Sequence, residues 1–251
     1  MKVFDAYAAY YDLLYKDKDY AGEADYVLKL LSAAGIHGGD MLELGCGTGR
    51  HAELFAASGF RMHGVDLSEP MVRQAVERFA ALPGHAFEVA DVRALRLDRR
   101  FDAVVSLFHV FSYQSSNEDL DRAFATASVH LRSGGAFVFD FWYGPGVLSD
   151  RPVVRVKEMS NESSTVLRIA EPIFFPNENC VDVRYRILLT EQATQAVHRF
   201  EETHRMRYLF LPELQGLSAA HGLQIVGAYR CQSHQPLGFD AWTGTVIAVK
   251  R

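Results

Sequence analysis

Between residues 38 and 141, hydrophobic runs of strand length alternate with longer amphipathic stretches of helix length. Helices are predicted to begin near Ser68, a capping residue, and near Asn117. Two adjacent glycines, Gly134 and Gly135, are predicted to end the second of these helices. Strand–helix alternation at this spacing predicts βαβ units and a parallel sheet that is buried on both faces. The predicted strands span residues 41–44, 61–65, 86–89, 103–108 and 136–141.

The rest of the chain carries other patterns, which divide it into four zones. Residues 1–37 are rich in tyrosine at helical spacing and are predicted to form a lid over the ligand-binding core at 38–150. Residues 151–209 are rich in β-branched and aromatic residues with period-2 stretches, which predicts an inserted antiparallel sheet. Residues 210–251 return to a helix and two strands that would complete the core sheet, the last strand at 245–250.

The composition narrows the class of protein. The 251 residues include 49% hydrophobic residues, which is enough for a packed globular core. The formal net charge of −5 disfavours nucleic acid as a partner, because phosphate binding needs clustered Lys and Arg. No apolar run approaches the ~20 residues of a membrane span, and Asp5 and Asp12 interrupt the apolar core that a signal peptide needs. The three widely separated cysteines predict neither a disulfide framework nor a metal site and favour a cytoplasmic location.

The strongest local signal for a ligand is the glycine-rich turn MLELGCGTGR. Gly45, Gly47 and Gly49 let the main chain turn tightly and come close to a ligand at the N-terminus of the following helix. A dinucleotide-binding turn needs a small residue where Arg50 stands, and the carboxylate of Glu43 would repel a pyrophosphate. Both residues disfavour a nicotinamide-dependent oxidoreductase, which remains an alternative, and Glu43 favours a cationic ligand.

Acidic residues after the next two strands indicate a nucleoside. Asp66 ends the second strand, where a carboxylate can accept hydrogen bonds from both hydroxyls of a ribose. Asp91 follows the third strand, where its side chain can reach the amino group of an adenine, with Val92 beside the ring. Because the carboxyl ends of parallel strands meet at one edge of the sheet, we expect one crevice to hold all these contacts.

Five segments resemble, in order along the chain, the motifs of class I S-adenosylmethionine-dependent methyltransferases: LELGCGTGRH, GVDLS, ADV, FDAVVSLFHVF and LRSGGAFVFD. The resemblance implies S-adenosylmethionine as the cofactor. It also implies an α/β fold with a Rossmann-like sheet of seven strands, the last one reversed, and the antiparallel β-sheet as an insertion. The implied contacts are Glu43, Gly45 and Gly47 for the methionine part, Asp66 and Leu67 for the ribose, Asp91 and Val92 for the adenine, Ser106 and its neighbours for the sulfonium side, and Cys46 as a further cofactor contact.

Three aromatic segments are predicted to shape the cleft around the methyl acceptor. The N-terminal segment would exclude water as a lid, and the aromatic residues after the fifth strand would form a wall. The residues after the fourth strand are the candidates for catalysis, since a histidine there is a possible base. The candidates are Tyr11 and Tyr20 in the lid, which are also predicted to contact the cofactor, His109 and Tyr113 after the fourth strand, and Trp142 and Tyr143 after the fifth.

A narrower resemblance, to N-methyltransferases of nucleotide-linked amino sugars, is carried by YYDLLYKDKDY, FHVFSY, FDFWY and EETHRMRYLF. It implies a small-molecule acceptor whose amino group is methylated. The antibiotic-sugar dimethyltransferases of this kind carry a histidine near the position of Tyr113, so the tyrosine leaves open whether His109 acts as the base. Another small amine, a sugar hydroxyl that needs firmer base help, and a non-catalytic cofactor-binding protein remain alternatives.

The predicted insertion adds residues that approach the acceptor from another side. Glu202 and His204 share one face of a strand and are predicted to reach the acceptor. A set of basic residues is expected either to grip a diphosphate or to lie in solvent beside acidic neighbours. The same strands are alternatively a homodimer interface. The basic set consists of Arg155, Lys157, Arg184, Arg186, Arg205 and Arg207.

Overall fold

An amphipathic helix opens the part of the chain that the structure describes. The computed structural model describes residues 18–251, so the predicted lid contact Tyr11 lies outside the described residues. Helix α1 (Tyr20–Ala33) begins after Asp19, whose carboxylate accepts a hydrogen bond from the Gly22 N–H at 2.9 Å. The apolar face of α1 packs against one side of the central sheet.

Five parallel strands form the centre of the fold, in the order β3-β2-β1-β4-β5. These strands are β1 (Gly39–Leu44), β2 (Phe60–Asp66), β3 (Ala86–Val89), β4 (Phe101–Ser106) and β5 (Leu131–Tyr143). The connecting elements are α2 (Arg50–Ala57), α3 (Glu69–Arg78), a short 3₁₀ helix (Val110–Tyr113) and α4 (Asn117–Val129). The chain reverses its direction of travel across the sheet between β1 and β4, which opens a crevice at the carboxyl ends of the strands.

Two strands at the end of the chain complete this sheet. They are β10 (Leu223–Arg230) and β11 (Thr243–Lys250), and they follow helix α6 (Leu211–Ala220). Strand β11 runs antiparallel to both β5 and β10. The predicted seven-stranded Rossmann-like sheet with a reversed last strand is therefore confirmed.

The end of α4 differs from the prediction. The helix ends at Val129, and Gly134 and Gly135 lie inside β5 instead of terminating the helix. A Cβ on Gly135 would lie 2.9 Å from the carbonyl oxygen of Asp102. This glycine therefore allows the close approach of β4 and β5, a packing requirement that a helix-end pattern in the sequence does not reveal.

The antiparallel insertion is also present, and it is joined to the carboxyl end of β5. A short helix α5 (Gly144–Ser149) leads into β6 (Arg155–Ser160), β7 (Ser164–Phe175), β8 (Cys180–Glu191) and β9 (Val197–Leu209). Each strand pairs antiparallel with the next. The end of β9 pairs in parallel with the end of β5, where Trp142 lies opposite Tyr208. This pairing brings one face of the inserted sheet to the crevice.

Both faces of the central sheet are covered by apolar clusters, as a parallel sheet requires. Along β5, Phe137 and Phe139 point into the cluster that includes Phe124 of α4. Ala136 and Val138, which alternate with them, join the cluster on the opposite face. No helix within residues 18–251 is both long and apolar enough to cross a membrane.

A buried carboxylate joins the starts of several strands at the edge opposite the crevice. Asp40 is 5% exposed and accepts hydrogen bonds from the guanidinium groups of Arg61, Arg99 and Arg132, at 2.5, 2.7 and 3.0 Å. Burial by itself would raise the pKa of Asp40, but the hydrogen bonds from the three arginines outweigh it and lower the pKa. Ionised Asp40 therefore stabilises the fold.

We expect Asp40→Asn to lower the free energy of unfolding by about 2 kcal/mol at neutral pH, since hydrogen bonds to a charged group are lost. The folded-state pKa lies below the ordinary value near 4, so this stabilisation is present above about pH 4 and is lost as the pH falls further. Urea unfolding at pH 7 and pH 3 measures both effects. Asp25→Asn, which breaks an exposed pair with Lys29, is the control and should change stability by less than about 0.5 kcal/mol.

Candidate active site

The carboxyl ends of the parallel strands and the inner face of β9 enclose a cleft of about 340 Å³. Most of the residues that the sequence predicted for a ligand lie on its wall. On the side predicted for the cofactor these are Tyr20, Gly45, Cys46, Gly47, Asp66, Leu67, Asp91 and Val92. On the side predicted for the acceptor they are His109, Tyr113, Trp142 and His204.

Close contacts on two sides fix the glycine turn at the floor of the cleft. Gly45 has a φ of 81°, and a Cβ at this position would lie 2.4 Å from a methyl carbon of Val110. The N–H groups of Gly45 and the next residue both donate to the Val65 carbonyl oxygen, at 2.8 and 2.9 Å. Gly49 has a φ of 77° at the start of α2, and a Cβ here would meet that of Ala75 at 3.1 Å.

Asp66 connects the glycine turn to the start of α3. Its Oδ2 accepts a hydrogen bond from the Gly47 N–H, and its Oδ1 accepts one from the Ser68 N–H, both at 2.9 Å. Burial raises the pKa of Asp66, although these backbone hydrogen bonds oppose the shift. A carboxylate has about four acceptor positions, so both oxygens keep capacity for the hydroxyls of a ribose.

Glu43 lies beneath the turn, where it is 1% exposed. Its Oε2 has no hydrogen-bond partner among residues 18–251, and its Oε1 lies 4.0 Å from Nδ1 of His51. Burial lowers the pKa of His51 to about 3, so this ring is neutral and its contact with Glu43 is not an ion pair. Burial, together with the nearby charge of Asp66, raises the pKa of Glu43 to about 8.

The predicted cofactor fits these surroundings. S-adenosylmethionine carries an ammonium and a sulfonium group, and Glu43 is a buried carboxyl with an unsatisfied oxygen that a cation would satisfy. Leu67 is 50% exposed on the cleft wall, and together with Val92 it offers apolar surface to an adenine ring. The acidic residues at the base of the cleft match the cationic methionine part of S-adenosylmethionine, and the apolar side matches its adenine.

Two predicted cofactor contacts have other partners in the structure. Arg93 forms a bidentate salt bridge with the Asp91 carboxylate, with Nε at 2.9 Å from Oδ1 and Nη2 at 2.6 Å from Oδ2. Hydrogen bonding by Arg93 lowers the pKa of Asp91, and both side chains line the cleft.

Ser106 is not on the wall, because its buried hydroxyl donates to the Leu44 carbonyl oxygen at 2.8 Å. The Ser106 side chain therefore does not reach the cleft as predicted, whereas its neighbours Leu107 and Phe108 lie on the wall.

A strained turn follows β4 and is held by Asp140, a residue that the sequence analysis did not single out. Phe108 and His109 have φ values of 64° and 66°, a backbone conformation that costs about 1–3 kcal/mol per residue. Their N–H groups donate to the two carboxylate oxygens of Asp140, at 3.1 and 2.7 Å. Burial lowers the pKa of His109, so its imidazole is neutral at the cleft wall and able to take up a proton.

The acceptor side of the cleft is built by the 3₁₀ helix, β5 and the insertion. The Tyr113 hydroxyl lies 2.7 Å from Nδ1 of His204 on β9. Nε2 of the same ring lies 3.2 Å from Glu202, which confirms that Glu202 and His204 share a face of the strand. Tyr185 of β8, which sequence reasoning missed, packs edge-on against His204 with ring centroids 4.9 Å apart.

Tyr143 and Arg207, both predicted to contact substrate, lie away from this cleft. Tyr143 packs against the apolar cluster next to Phe141. Of the two residues predicted to form an aromatic wall, Trp142 therefore lies on the cleft and Tyr143 does not. Arg207 is buried on the other side of β9, where it bonds to Asn117 and Glu213. Alternation along a strand explains both results, because neighbouring residues point to opposite faces.

The predicted basic set is divided between the two faces of the inserted sheet. Arg186 pairs with Glu171 at 2.9 Å and Arg205 pairs with Asp182 at 2.7 Å, on the face turned away from the cleft. These two arginines therefore match the alternative in which the basic residues lie in solvent beside acidic neighbours. Lys157 lies opposite Arg168 on the other face, the one that also carries Tyr185 and His204.

Comparison with known proteins gives consistent matches. Residues 41–135 match the family model described as a methyltransferase domain. A dTDP-3-amino-3,4,6-trideoxy-alpha-D-glucopyranose N,N-dimethyltransferase from Streptomyces venezuelae is 30% identical over 221 residues, which cover 87% of this chain and 90% of that protein.

Solved structures match over nearly the whole chain. The crystal structure of Streptomyces venezuelae DesVI has a TM-score of 0.81 and 27% identity, with 98% of each chain covered. CalS10, described as an amino pentose methyltransferase from Micromonospora echinaspora and solved with S-adenosylmethionine bound, has a TM-score of 0.77 and 25% identity. That match covers 99% of this chain and 98% of CalS10, so it includes the inserted sheet as well as the core.

We expect Glu43→Gln to stabilise the ligand-free protein and to weaken binding of S-adenosylhomocysteine. The folded-state pKa of about 8 exceeds the ordinary value of 4.5, so Glu43 lowers wild-type stability progressively as the pH rises from about 5 to 8. Urea unfolding at pH 5 and pH 8 should show a benefit of the substitution that grows with pH.

Isothermal titration at pH 6.5, in two buffers with different heats of ionisation, checks the binding half of this prediction. Ligand binding should release protons from the wild type and fewer from the variant, since an ammonium favours the ionised form of Glu43. Glu69→Gln, at an exposed pair with Arg73, is the matched control. Unchanged affinity together with unchanged proton release in Glu43→Gln would contradict this assignment.

Proposed function

The chain belongs to the S-adenosylmethionine-dependent methyltransferases, and on this premise we propose that it methylates the amino group of a nucleotide-linked amino sugar. The observation that carries the proposal is the extent of the match to the Streptomyces venezuelae dimethyltransferase. A match covering 87% of the chain is too long to fall on the common core alone and includes part of the inserted sheet, which builds the acceptor side of the cleft.

The residues of the cleft are suited to promote methyl transfer by positioning the cofactor and the acceptor. S-adenosylmethionine, when bound, supplies a methyl group on a sulfonium centre, and the acceptor nitrogen must approach in line with it. The rigid turn of Phe108 and His109 lies between the cofactor side and the acceptor side of the wall. Trp142 and Met206 add apolar surface on the acceptor side, which excludes water from the reacting atoms.

A basic and aromatic face leads outward from the acceptor side and supports a nucleotide-linked substrate. The guanidinium carbon of Arg168 lies 5.1 Å from the ring centroid of Tyr185, and Lys157 is the cross-strand neighbour of Arg168. A stacked guanidinium presents several donors to a phosphate group, and aromatic rings offer a surface for a base. This face is continuous with His204 in the cleft, so a sugar and its nucleotide would lie along one side of β8 and β9.

The same proposal places the reaction in the reducing cytoplasm and on a small molecule. Cys46, Cys180 and Cys231 are all free thiols, which is typical of a reducing compartment. The net charge of −5 supports a small-molecule acceptor over nucleic acid.

A label-transfer experiment tests the proposed acceptor. Purified protein is incubated with methyl-labelled S-adenosylmethionine and a panel of dTDP-linked amino sugars, the matching hydroxy sugars and simple amines. Label should appear on the amino-sugar nitrogen. Arg168→Gln should raise the KM for the nucleotide-linked sugar without a similar effect on a simple amine. Label on simple amines alone, or on a hydroxyl, would refute the proposed acceptor.

His109→Asn distinguishes an amine acceptor from a hydroxyl acceptor. Asparagine tolerates the positive φ of this position, so the turn should persist. With an amine we expect kcat to fall modestly, by less than about tenfold, because groups other than His109 can take the proton; a hydroxyl acceptor would lose almost all turnover. Steady-state kinetics with the acceptor found in the panel measures the change, and near-complete loss with an amine would contradict this expectation.

A further inference from the structure

Three side chains link the acceptor side of the cleft to the inserted sheet in an unbroken chain. The Tyr113 hydroxyl lies 2.7 Å from Nδ1 of His204, and Nε2 of the same ring lies 3.2 Å from Oε2 of Glu202. The side chains of His204 and Glu202 are 3% and 8% exposed. Tyr113 and His204 line the cleft, whereas Glu202 lies behind them.

The hydrogen-bonding capacity of each group sets the direction of this chain. A carboxylate only accepts hydrogen bonds, so Nε2 of His204 carries the proton that faces Glu202. Nδ1 of the neutral ring is then an acceptor, and the Tyr113 hydroxyl must donate to it. A hydroxyl oxygen has two acceptor lone pairs besides its donor hydrogen, so the Tyr113 oxygen has the capacity to receive a proton while it donates to His204.

The surroundings of His204 favour this arrangement. Across β8 its cross-strand neighbour is Val183, which is apolar. Tyr185 of β8 packs edge-on against the ring, and Arg168 of β7 stacks on the ring of Tyr185. Glu202 lies beside the imidazole on the same face of β9, where its carboxylate accepts the hydrogen bond from Nε2.

We propose that Tyr113, His204 and Glu202 form a proton relay that deprotonates the bound acceptor. The inference rests on the proposed function, because it needs an amine that arrives as an ammonium. The ammonium gives a proton to the Tyr113 oxygen while the Tyr113 hydroxyl proton passes to Nδ1 of His204. Tyr113 thus ends neutral, His204 becomes an imidazolium paired with Glu202, and the nitrogen regains the lone pair that attacks the methyl group.

The relay would also reduce the electrostatic repulsion between the acceptor and the cofactor. An ammonium acceptor beside a sulfonium places two positive charges at bonding distance, which raises the barrier to transfer. Moving the proton to His204 carries one of these charges two hydrogen bonds away and places it beside a carboxylate. The acidic residues on the cofactor side can then serve the cofactor alone.

Two substitutions remove the relay in different ways. His204→Asn keeps an acceptor for the Tyr113 hydroxyl but cannot take up a proton, and Tyr113→Phe removes the hydroxyl. With the acceptor that the wild type labels, kcat/KM at pH 7 should fall by roughly tenfold to a hundredfold in both variants. The loss should shrink as the pH rises above the pKa of the free acceptor amine, since the amine then arrives without its proton.

His198→Asn is the matched control, because it breaks an exposed His–Glu pair with Glu191 on the same sheet. The control should follow the wild-type pH profile. Nitrogen-15 NMR of His204 gives a readout independent of turnover and should show the Nε2-protonated ring in the ligand-free wild type. S-adenosylhomocysteine should bind His204→Asn as tightly as the wild type.

Four outcomes decide the inference. A pH-dependent loss with intact cofactor binding supports the relay, whichever amine is the acceptor, and so separates it from the identity of the sugar. A loss that is constant across pH would overturn it, because only a structural role remains. A wild-type pH profile in both variants, or a His204 ring protonated on Nδ1 alone, would overturn it as well.

Discussion

Carboxylates that the fold removes from water determine what the cleft binds. Glu43 lies just before the end of a buried strand, and burial raises its pKa to about 8. Such a group destabilises the fold until a cation satisfies it. Asp66 ends the adjacent strand β2 and Asp140 lies on β5, and each of these two carboxylates accepts two backbone N–H groups. Asp66 therefore both lines the cleft and holds the glycine turn, and Asp140 holds the Phe108–His109 turn of the cleft wall.

The second constraint is the pairing of β5 with β9, which joins the central parallel sheet to the inserted antiparallel sheet. Trp142 lies opposite Tyr208, and one residue further the ladder ends. Through this short contact the face of β9 that carries His204 and Met206 meets the wall formed by the parallel strands. Apolar packing reinforces it, since Trp142, Met206 and Tyr208 belong to one buried cluster. The acceptor side of the cleft includes residues of the insertion, whereas the glycine turn, Asp66 and Asp91 of the cofactor side belong to the core.

The parts that sequence could predict are those that depend on local pattern. Strand–helix alternation and the glycine turn are sufficient for the parallel sheet, and residues at strand ends such as Asp66 fall where the topology requires. The failures involve contacts between distant segments. Ser106 bonds to a carbonyl of a neighbouring strand, and Asp140 is recognised only through the two N–H groups that it accepts from a turn some thirty residues earlier. Arg207 was predicted to contact substrate as part of a basic set spread along the strands, but alternation turns it to the face opposite His204. The sequence does not show which of the two faces meets the cleft, because that depends on the pairing of β9 with β5.

The proposed proton relay depends on the insertion, because the imidazole of His204 lies on β9. Tyr113 lies on the segment that follows the fourth strand. Here that segment carries a phenol, and the imidazole behind it comes from β9, so the 2.7 Å contact between Tyr113 and His204 spans the junction of core and insertion. A small displacement of the inserted sheet would break this contact while leaving Glu43, Asp66 and the glycine turn untouched. The cofactor side of the cleft therefore relies on the core, whereas the contact between Tyr113 and His204 needs the core and the insertion together.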